Sequence, residues 1–370
     1  MNRALVILFV IMISTPATMN LVGLDGADPA NENREMAPPA RWTGTWQSAT
    51  EFPDAFIRWF EDHFGMRAQL VRWFGESRWF LLGVSPSSAV VKGRDGWLYY
   101  ADDGGLDDYI RKDPLKPAEL DAWREALERA DDWLRRRHIA FVFTVAPDKH
   151  VIYPENLPSS IRPTASASRT DQIYAALAST RVTTVDLRVP LLEAKSRERV
   201  YYITDTHWND RGALVAYQAI IETARRLVPA VPQAWGQHDF IPAGQDVPGK
   251  DLAGMLGLRR VLHETDLRLI PRRARRARVV EPPGEEPTSE LGSLVTEIND
   301  FSLPRAVIFR DSFGSRLVPF LSEHFSRAAY FWQNDFDAEV VLREHPDIVI
   351  QEIVGRHLYS FIASPELVPR

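Results

Sequence analysis

The residues best able to do chemistry together lie in two short stretches, Asp205-Thr206-His207-Trp208 and, much further along the chain, Arg310-Asp311-Ser312-Phe313-Gly314. Between them they supply a carboxylate, an imidazole and a hydroxyl. A serine hydroxyl is a weak nucleophile near neutral pH. It becomes an effective one when a base within hydrogen-bond reach takes its proton and a third group holds that base in one tautomer. Ser312, His207 and Asp205 are the candidate catalytic set on that ground. Two other chemistries use the same residues. A serine just after a strand is often only a helix cap, and Asp205 and His207 could offer two ligands to a metal ion. The metal reading lacks a second histidine nearby in the chain, and with no cysteine in the protein there is no thiol to complete the set. No metal and no cofactor is therefore expected, while triad and cap both stay open on the residue pattern alone.

Positioning these groups requires elements that end beside one another. A helix is expected from about Pro117 to Arg137, with Leu120, Trp123, Leu127 and Leu134 on one face, followed directly by a strand from Ile139 to Val145. Ser168 to Ser179 reads as helix, Val182 to Leu187 as strand, and Asp210 to Leu227 as a long helix capped by Asn209 or Asp210. The alternation returns near the end of the chain: strand Ala306 to Phe309, helix Ser315 to Phe325, strand Ala328 to Trp332, helix Asp335 to His345, strand Ile348 to Ile353. Apolar strands alternating with helices predict a mostly parallel sheet covered on both faces, a three-layer α/β/α fold. Ligands of such sheets bind beyond the carboxyl ends of the strands. Ser312 follows a strand, and Asp205 and His207 precede a helix, so both stretches fall in loops at element ends.

The rest of the chain reads as attachments to that core. Residues 1–24 combine Arg3 with an unbroken apolar run from Ala4 to Ile13, which suits a signal peptide or signal anchor and implies export to the periplasm, with inner-membrane anchoring if the segment is retained. Residues 25–45, rich in Pro, Ala, Asn and Glu, read as a linker, and the folded domain is expected over 46–370. Phe52, Phe56, Trp59, Phe60, Phe64, Leu70, Trp73 and Phe74 recur at helical spacing and predict amphipathic helices with a buried aromatic stripe. Asp95-Gly96 between two β-prone runs predicts a hairpin turn. From about 229 to 303 the rhythm lapses into Gly, Pro and charge, including the basic run Arg268 to Arg278 and the acidic Glu281 to Glu290, as expected of an insertion or long loop. A net charge of −6 supplies no global basic field, which argues against nucleic acid as a partner.

Several ordered blocks give the chain a resemblance to a known family. They are Lys92-Gly93-Arg94-Asp95-Gly96-Trp97-Leu98-Tyr99, Pro147-Asp148-Lys149 with Tyr153-Pro154-Glu155, Asp205-Thr206-His207-Trp208, Asp251-Leu252-Ala253, Asp311-Ser312-Phe313, and Glu352 to Arg356. In these the chain resembles the SGNH-like alginate O-acetyltransferases, exported serine enzymes that acetylate bacterial exopolysaccharides. The resemblance implies Ser312 as nucleophile, His207 as general base and Asp205 as the residue orienting it. It also implies a circularly permuted SGNH-hydrolase fold, because the serine block here comes last. A polysaccharide acceptor and a membrane-bound O-acyltransferase that delivers the acetyl group are implied as partners. The same residues would serve a carbohydrate acetylesterase, and a degenerate set would leave a non-catalytic polysaccharide-binding component of an export complex.

Four further residues are substrate-binding candidates with an alternative each. Asn334, after a strand, would donate to an oxyanion or merely turn the chain. Lys149 and Arg356 would meet an acidic sugar or pair with a carboxylate such as Glu352. Trp208 would stack on a sugar ring or pack in the core. The sequence departs from the family pattern at Arg310, where SGNH chains have Gly before Asp-Ser, and at Gly355, where related chains often carry Glu.

Overall fold

The computed structural model of the chain describes residues 3–22, 36–164, 166–280, 293–360 and 363. They fall into two compact units, Met1–Lys92 with Pro248–His263, and Gly93–Val247 with Glu264–Arg370.

The second unit is built on a seven-stranded sheet. In chain order its strands are β1 (Ala140–Ala146), β2 (Thr184–Asp186), β3 (Arg278–Val280), β4 (Leu294–Glu297), β5 (Arg305–Arg310), β6 (Arg327–Trp332) and β7 (Ile348–Val354). Across the sheet they run β2-β1-β7-β5-β6-β4-β3. The five from β2 to β6 are parallel, with Phe143 opposite Thr184, Ile348 opposite Ala140 and Ala306, and Trp332 opposite Arg310. β4 and β3 continue the sheet antiparallel.

All seven residues of β7 are buried, as expected of a central strand with both faces covered. Alternate residues Phe141, Phe143, Val307, Phe309, Val349 and Ile353 join one core cluster with Trp123, Leu127, Trp133 and Leu134 of helix Pro117–Arg135. The intervening residues are buried as well, and helix Asp210–Leu227 packs on β1 and β2 with Leu214, Tyr217, Ile220 and Ile221 inward. The layered α/β/α reading and the strand positions are thus seen directly.

Two expectations change. The helix expected over Ser315 to Phe325 is broken into Ser312–Ser315, Val318–Leu321 and a 3₁₀ turn at Ser322–His324. Pro319 lacks the N–H that would continue the first turn into the second. The stretch from 229 to 303, expected as an insertion or long loop, is not loop throughout: Phe240–Pro248 and His263–Pro271 form a two-stranded ribbon, and β3 and β4 extend the main sheet. The acidic segment 281–290 lies outside the described residues. The Asp95-Gly96 turn is formed as expected, with both residues at positive φ and the Gly93 N–H donating to the Trp97 carbonyl at 2.7 Å.

In the first unit, Arg3–Leu21 is helical, and among the described residues no helix is long and apolar enough to cross a membrane. Thr45 caps helix Trp46–His63 by accepting from the Ser48 N–H, and helix Arg67–Glu76 follows. The aromatic stripe is not the buried one expected. Phe56, Phe60, Trp73 and Phe74 are exposed, and Phe52, Phe56 and Phe60 stack on one another with centroids about 6 Å apart. Helical spacing puts such residues on one face, but burial needs a second surface to cover it.

Candidate active site

The Asp205 and His207 stretch is the tip of a tight loop. At its base Tyr201 and Trp208 form an antiparallel bridge, the Tyr202 N–H donates to the His207 carbonyl at 3.2 Å, and the Asn209 N–H donates to the Val200 carbonyl at 3.0 Å. Asn209 then caps the long helix, its Oδ1 accepting from the Arg211 and Gly212 N–H groups at 3.0 and 3.1 Å. Gly212 sits against the loop so closely that a Cβ there would lie 2.2 Å from the Val200 carbonyl oxygen.

Buried polar groups fix the loop from outside. Lys149, on the turn after β1, donates from Nζ to the carbonyls of Tyr202, Ile203 and Asp205 at 3.1, 3.0 and 2.6 Å. Glu264 accepts from the Thr204 N–H and hydroxyl, and Asp266 accepts from the Tyr202 hydroxyl at 2.6 Å. Within the loop, Asp205 Oδ1 lies 2.7 Å from His207 Nδ1 and also accepts the His207 N–H at 3.1 Å. That pairing directs Nε2 away from the carboxylate, which is the arrangement a general base requires.

Ser312 opens the short helical turn that follows β5. Asp311 is its cap: Oδ1 accepts from the Phe313 N–H at 2.9 Å, and Oδ2 accepts from the Val354 N–H of β7 at 2.6 Å. Arg310 braces the turn, donating from Nη1 to the Asp311 carbonyl at 3.2 Å and the Ser315 hydroxyl at 2.7 Å, with its guanidinium over Trp332. A side chain at this departure from the family pattern is therefore accommodated within the turn itself. Phe313, next to Ser312, packs on the His207 ring with centroids 4.8 Å apart and edge-on to Trp208 at 5.0 Å. The structure thus brings the serine stretch and the Asp-His loop together through Phe313.

The four substrate-binding candidates are placed differently. Trp208 is fully buried between Tyr201 and Phe313, so it packs the core and presents no face to a sugar. Lys149, 3% exposed, holds the loop and offers no ammonium to an acidic sugar. Arg356 is buried against Asp148 and not Glu352, with its N–H and Nη1 each 2.7 Å from the Asp148 carboxylate. Burial opposes the charge on Arg356, but the Asp148 and Asp311 carboxylates outweigh it and the Arg356 pKa is raised. Asn334 lies half-buried just past β6, on the same sheet end as Ser312, and its carbonyl accepts from Gln351 Nε2 at 2.6 Å.

Sequence reasoning assigned no site role to Asp148 and Glu352, both buried, or to the half-buried His357, although the first two fall within the family blocks. A signal for one was present, since Gln351-Glu352 interrupts an otherwise apolar central strand, where a charged residue is seldom buried without a task. A cavity of about 230 Å³ opens at the same sheet end, walled by Asp108, Tyr109, Asp148, Arg188 and Gly355. Its Asp108 carboxyl is pushed up to about 6 by burial and then by the Asp148 charge.

Residues 90–326 match the family model described as the SGNH hydrolase-like domain of the acetyltransferase AlgX. The probable alginate O-acetylase AlgJ of Pseudomonas putida is 32% identical over 173 residues, covering 46% of this chain and 42% of that protein. Its counterpart in Pseudomonas syringae is 30% identical over 132 residues, covering 35% and 32%. The matched span is under half the length of these curated relatives. Among solved structures PatB1 of Bacillus cereus is similar in fold, with a TM-score of 0.52 at 16% identity, covering 73% of this chain and 96% of that one.

Proposed function

We propose that this chain, which belongs to the family of SGNH hydrolase-like AlgX acetyltransferase domains, transfers acetyl groups to hydroxyls of an alginate-like polysaccharide through an acetyl-serine. The observation that carries the reading is the 2.7 Å Asp205–His207 pair set against the residue that follows Ser312. In the first step the Ser312 hydroxyl attacks the carbonyl carbon of an acetyl donor as His207 Nε2 takes its proton. The donor's leaving group departs with that proton, and the acetyl group stays on Ser312 as an ester. In the second step a sugar hydroxyl gives its proton to His207 and attacks the ester. Ser312 recovers the proton, and the acetylated sugar leaves. Asp205 keeps the imidazole in one tautomer and stabilises its cation in both steps.

The Asn334 amide and the Ser312 N–H are the proposed donors to the oxyanion, since both lie at the carboxyl ends of neighbouring strands β6 and β5. The apolar N-terminal helix supports export to the periplasm. Acetyl donors are made in the cytosol, so an exported enzyme needs a membrane acyltransferase to deliver the group. Incubating the protein with an acetyl ester and oligouronates and weighing the products tests the assignment. Acetylated sugar is expected, and free acetate alone would make the protein an esterase. Ser312→Ala is expected to lower turnover by at least 10³-fold; full activity in that variant would remove the whole reading.

A further inference from the structure

The catalytic reading leaves one buried acid of the site without a task. Glu352 is 1% exposed on β7, and its Oε2 accepts from the Asp311 N–H at 3.2 Å. It reaches beneath the Ser312 turn only because residue 314 is glycine: a Cβ there would lie 2.8 Å from Glu352 Oε2. Asp311 is itself 2% exposed, so two carboxyl groups are buried side by side. Both cannot be ionised there at acceptable cost.

The surrounding groups decide which one is charged. Asp311 accepts two backbone N–H groups and has His357 Nδ1 3.4 Å from Oδ2, whereas Glu352 Oε1 is buried with no hydrogen-bond partner among the described residues. Of the cations near Glu352, Arg356 is hydrogen-bonded to Asp148 and Arg310 to the Asp311 carbonyl and Ser315, so the Arg310 charge favours an ionised Glu352 without a hydrogen bond to it among the described residues; the His357 ring lies between Asp311 and Asp103. Across β1 its partner is the uncharged Thr144. Burial and then the Asp311 charge hold the Glu352 carboxyl well above the ordinary range. Burial opposes the charge on Asp311 too, but the adjacent His357 ring, the Arg356 charge and the Phe313 N–H hold its carboxyl below the ordinary range.

We propose that Glu352 is a positioning residue for Ser312: as a neutral acid it ties the Asp311 cap to β7, and its ionisation releases the nucleophile turn and sets the alkaline limit of activity. This rests on Ser312 being the nucleophile. Once Glu352 loses its proton, two adjacent anions face each other under a turn held by one of them, and the cap is the part free to move.

The test reads Ser312 directly, as the rate at which phenylmethylsulfonyl fluoride labels its peptide across pH, followed by mass spectrometry. The wild type is expected to rise to a plateau as His207 becomes neutral, then to fall tenfold or more at higher pH while still folded. Glu352→Gln keeps the shape and a donor but cannot ionise, so it should hold the plateau where the wild type falls. An unlabelled Ser312 at every pH would remove the nucleophile and the positioning role with it. A labelled Ser312 whose alkaline fall is the same in Glu352→Gln, or a wild type without a fall before unfolding, would overturn the positioning role alone. Should Glu352→Gln not fold, the infrared band of a protonated carboxyl in the wild type serves instead. It must vanish in step with the labelling rate, and a band lost at a different pH overturns the proposal.

Discussion

Lys149 shows how one side chain can be essential to a site without meeting the substrate. Its ammonium is buried, which alone would be costly, but three carbonyls of residues 202–205 surround it and share its charge. Those carbonyls would otherwise be polar groups in a fold interior with fewer partners. Lys149→Met keeps the length and apolar stem while removing the donors, so it leaves the carbonyls short of hydrogen bonds at about 1–3 kcal/mol each. The expected result is a loss of several kcal/mol in urea unfolding, together with reduced turnover because the same carbonyls belong to the loop that carries Asp205 and His207. A variant as stable as the parent would show that the loop holds its shape without Lys149. Had Lys149 met an acidic sugar, the variant would instead raise KM at unchanged stability.

At the scale of elements, the contact between helix Asp210–Leu227 and the Asp-His loop is set by Gly212. Replacing glycine by alanine inside a helix ordinarily stabilises by up to about 1 kcal/mol. Here the added methyl would meet the Val200 carbonyl oxygen at 2.2 Å and the Trp208 Cβ at 2.8 Å, neither of which is a flexible side-chain end. Gly212→Ala is therefore expected to destabilise by about 1–3 kcal/mol and to lower turnover more than stability alone explains, because the loop must shift to admit the methyl. A melting temperature at or above that of the parent would count against this packing.

These elements were largely legible in the sequence because their signals are local. Asn209 before an apolar helical stripe marked the helix start, and the runs 139–145, 306–309 and 348–353 marked strands buried on both faces. A cap was legible at this turn, but as the alternative duty of Ser312; it falls instead to Asp311, the residue before it. Less legible was anything decided by a distant partner. β3 and β4 are short, and they are strands only because β6 offers an edge to pair with. The pairing of Arg356 with Asp148 joins residues 208 positions apart, and nothing in the spacing distinguishes it from a pairing with Glu352. Trp208 beside His207 read as well for a sugar platform as for core, until Phe313 was seen to cover it.

At the scale of the whole molecule, buried titratable groups make stability depend on pH with a sign that can be worked out. His150 and His324 are both held down to about 4, by burial first; the Asp148 charge partly opposes the shift at His150, and a backbone contact with Pro232 does so at His324. Between their ordinary 6.5 and about 4 the unfolded chain binds protons that the fold refuses, so stability falls as pH falls through that window. Asp108, pushed up to about 6, works the other way: between 3.8 and about 6 the fold holds a proton that the unfolded chain has lost. Near pH 5 each histidine contributes a slope of roughly 1.4 kcal/mol per pH unit and Asp108 offsets about one of them. His324→Gln keeps a polar partner for the Tyr217 hydroxyl, which His324 meets at 2.5 Å, but cannot take up the proton in the unfolded state. Urea unfolding at a series of pH values should therefore show the variant's slope near pH 5 lower than the parent's by roughly 1.4 kcal/mol per unit, whatever the remaining carboxylates contribute to both. Equal slopes would mean that His324 takes up its proton within the fold, and that the Tyr217 contact tolerates an imidazolium.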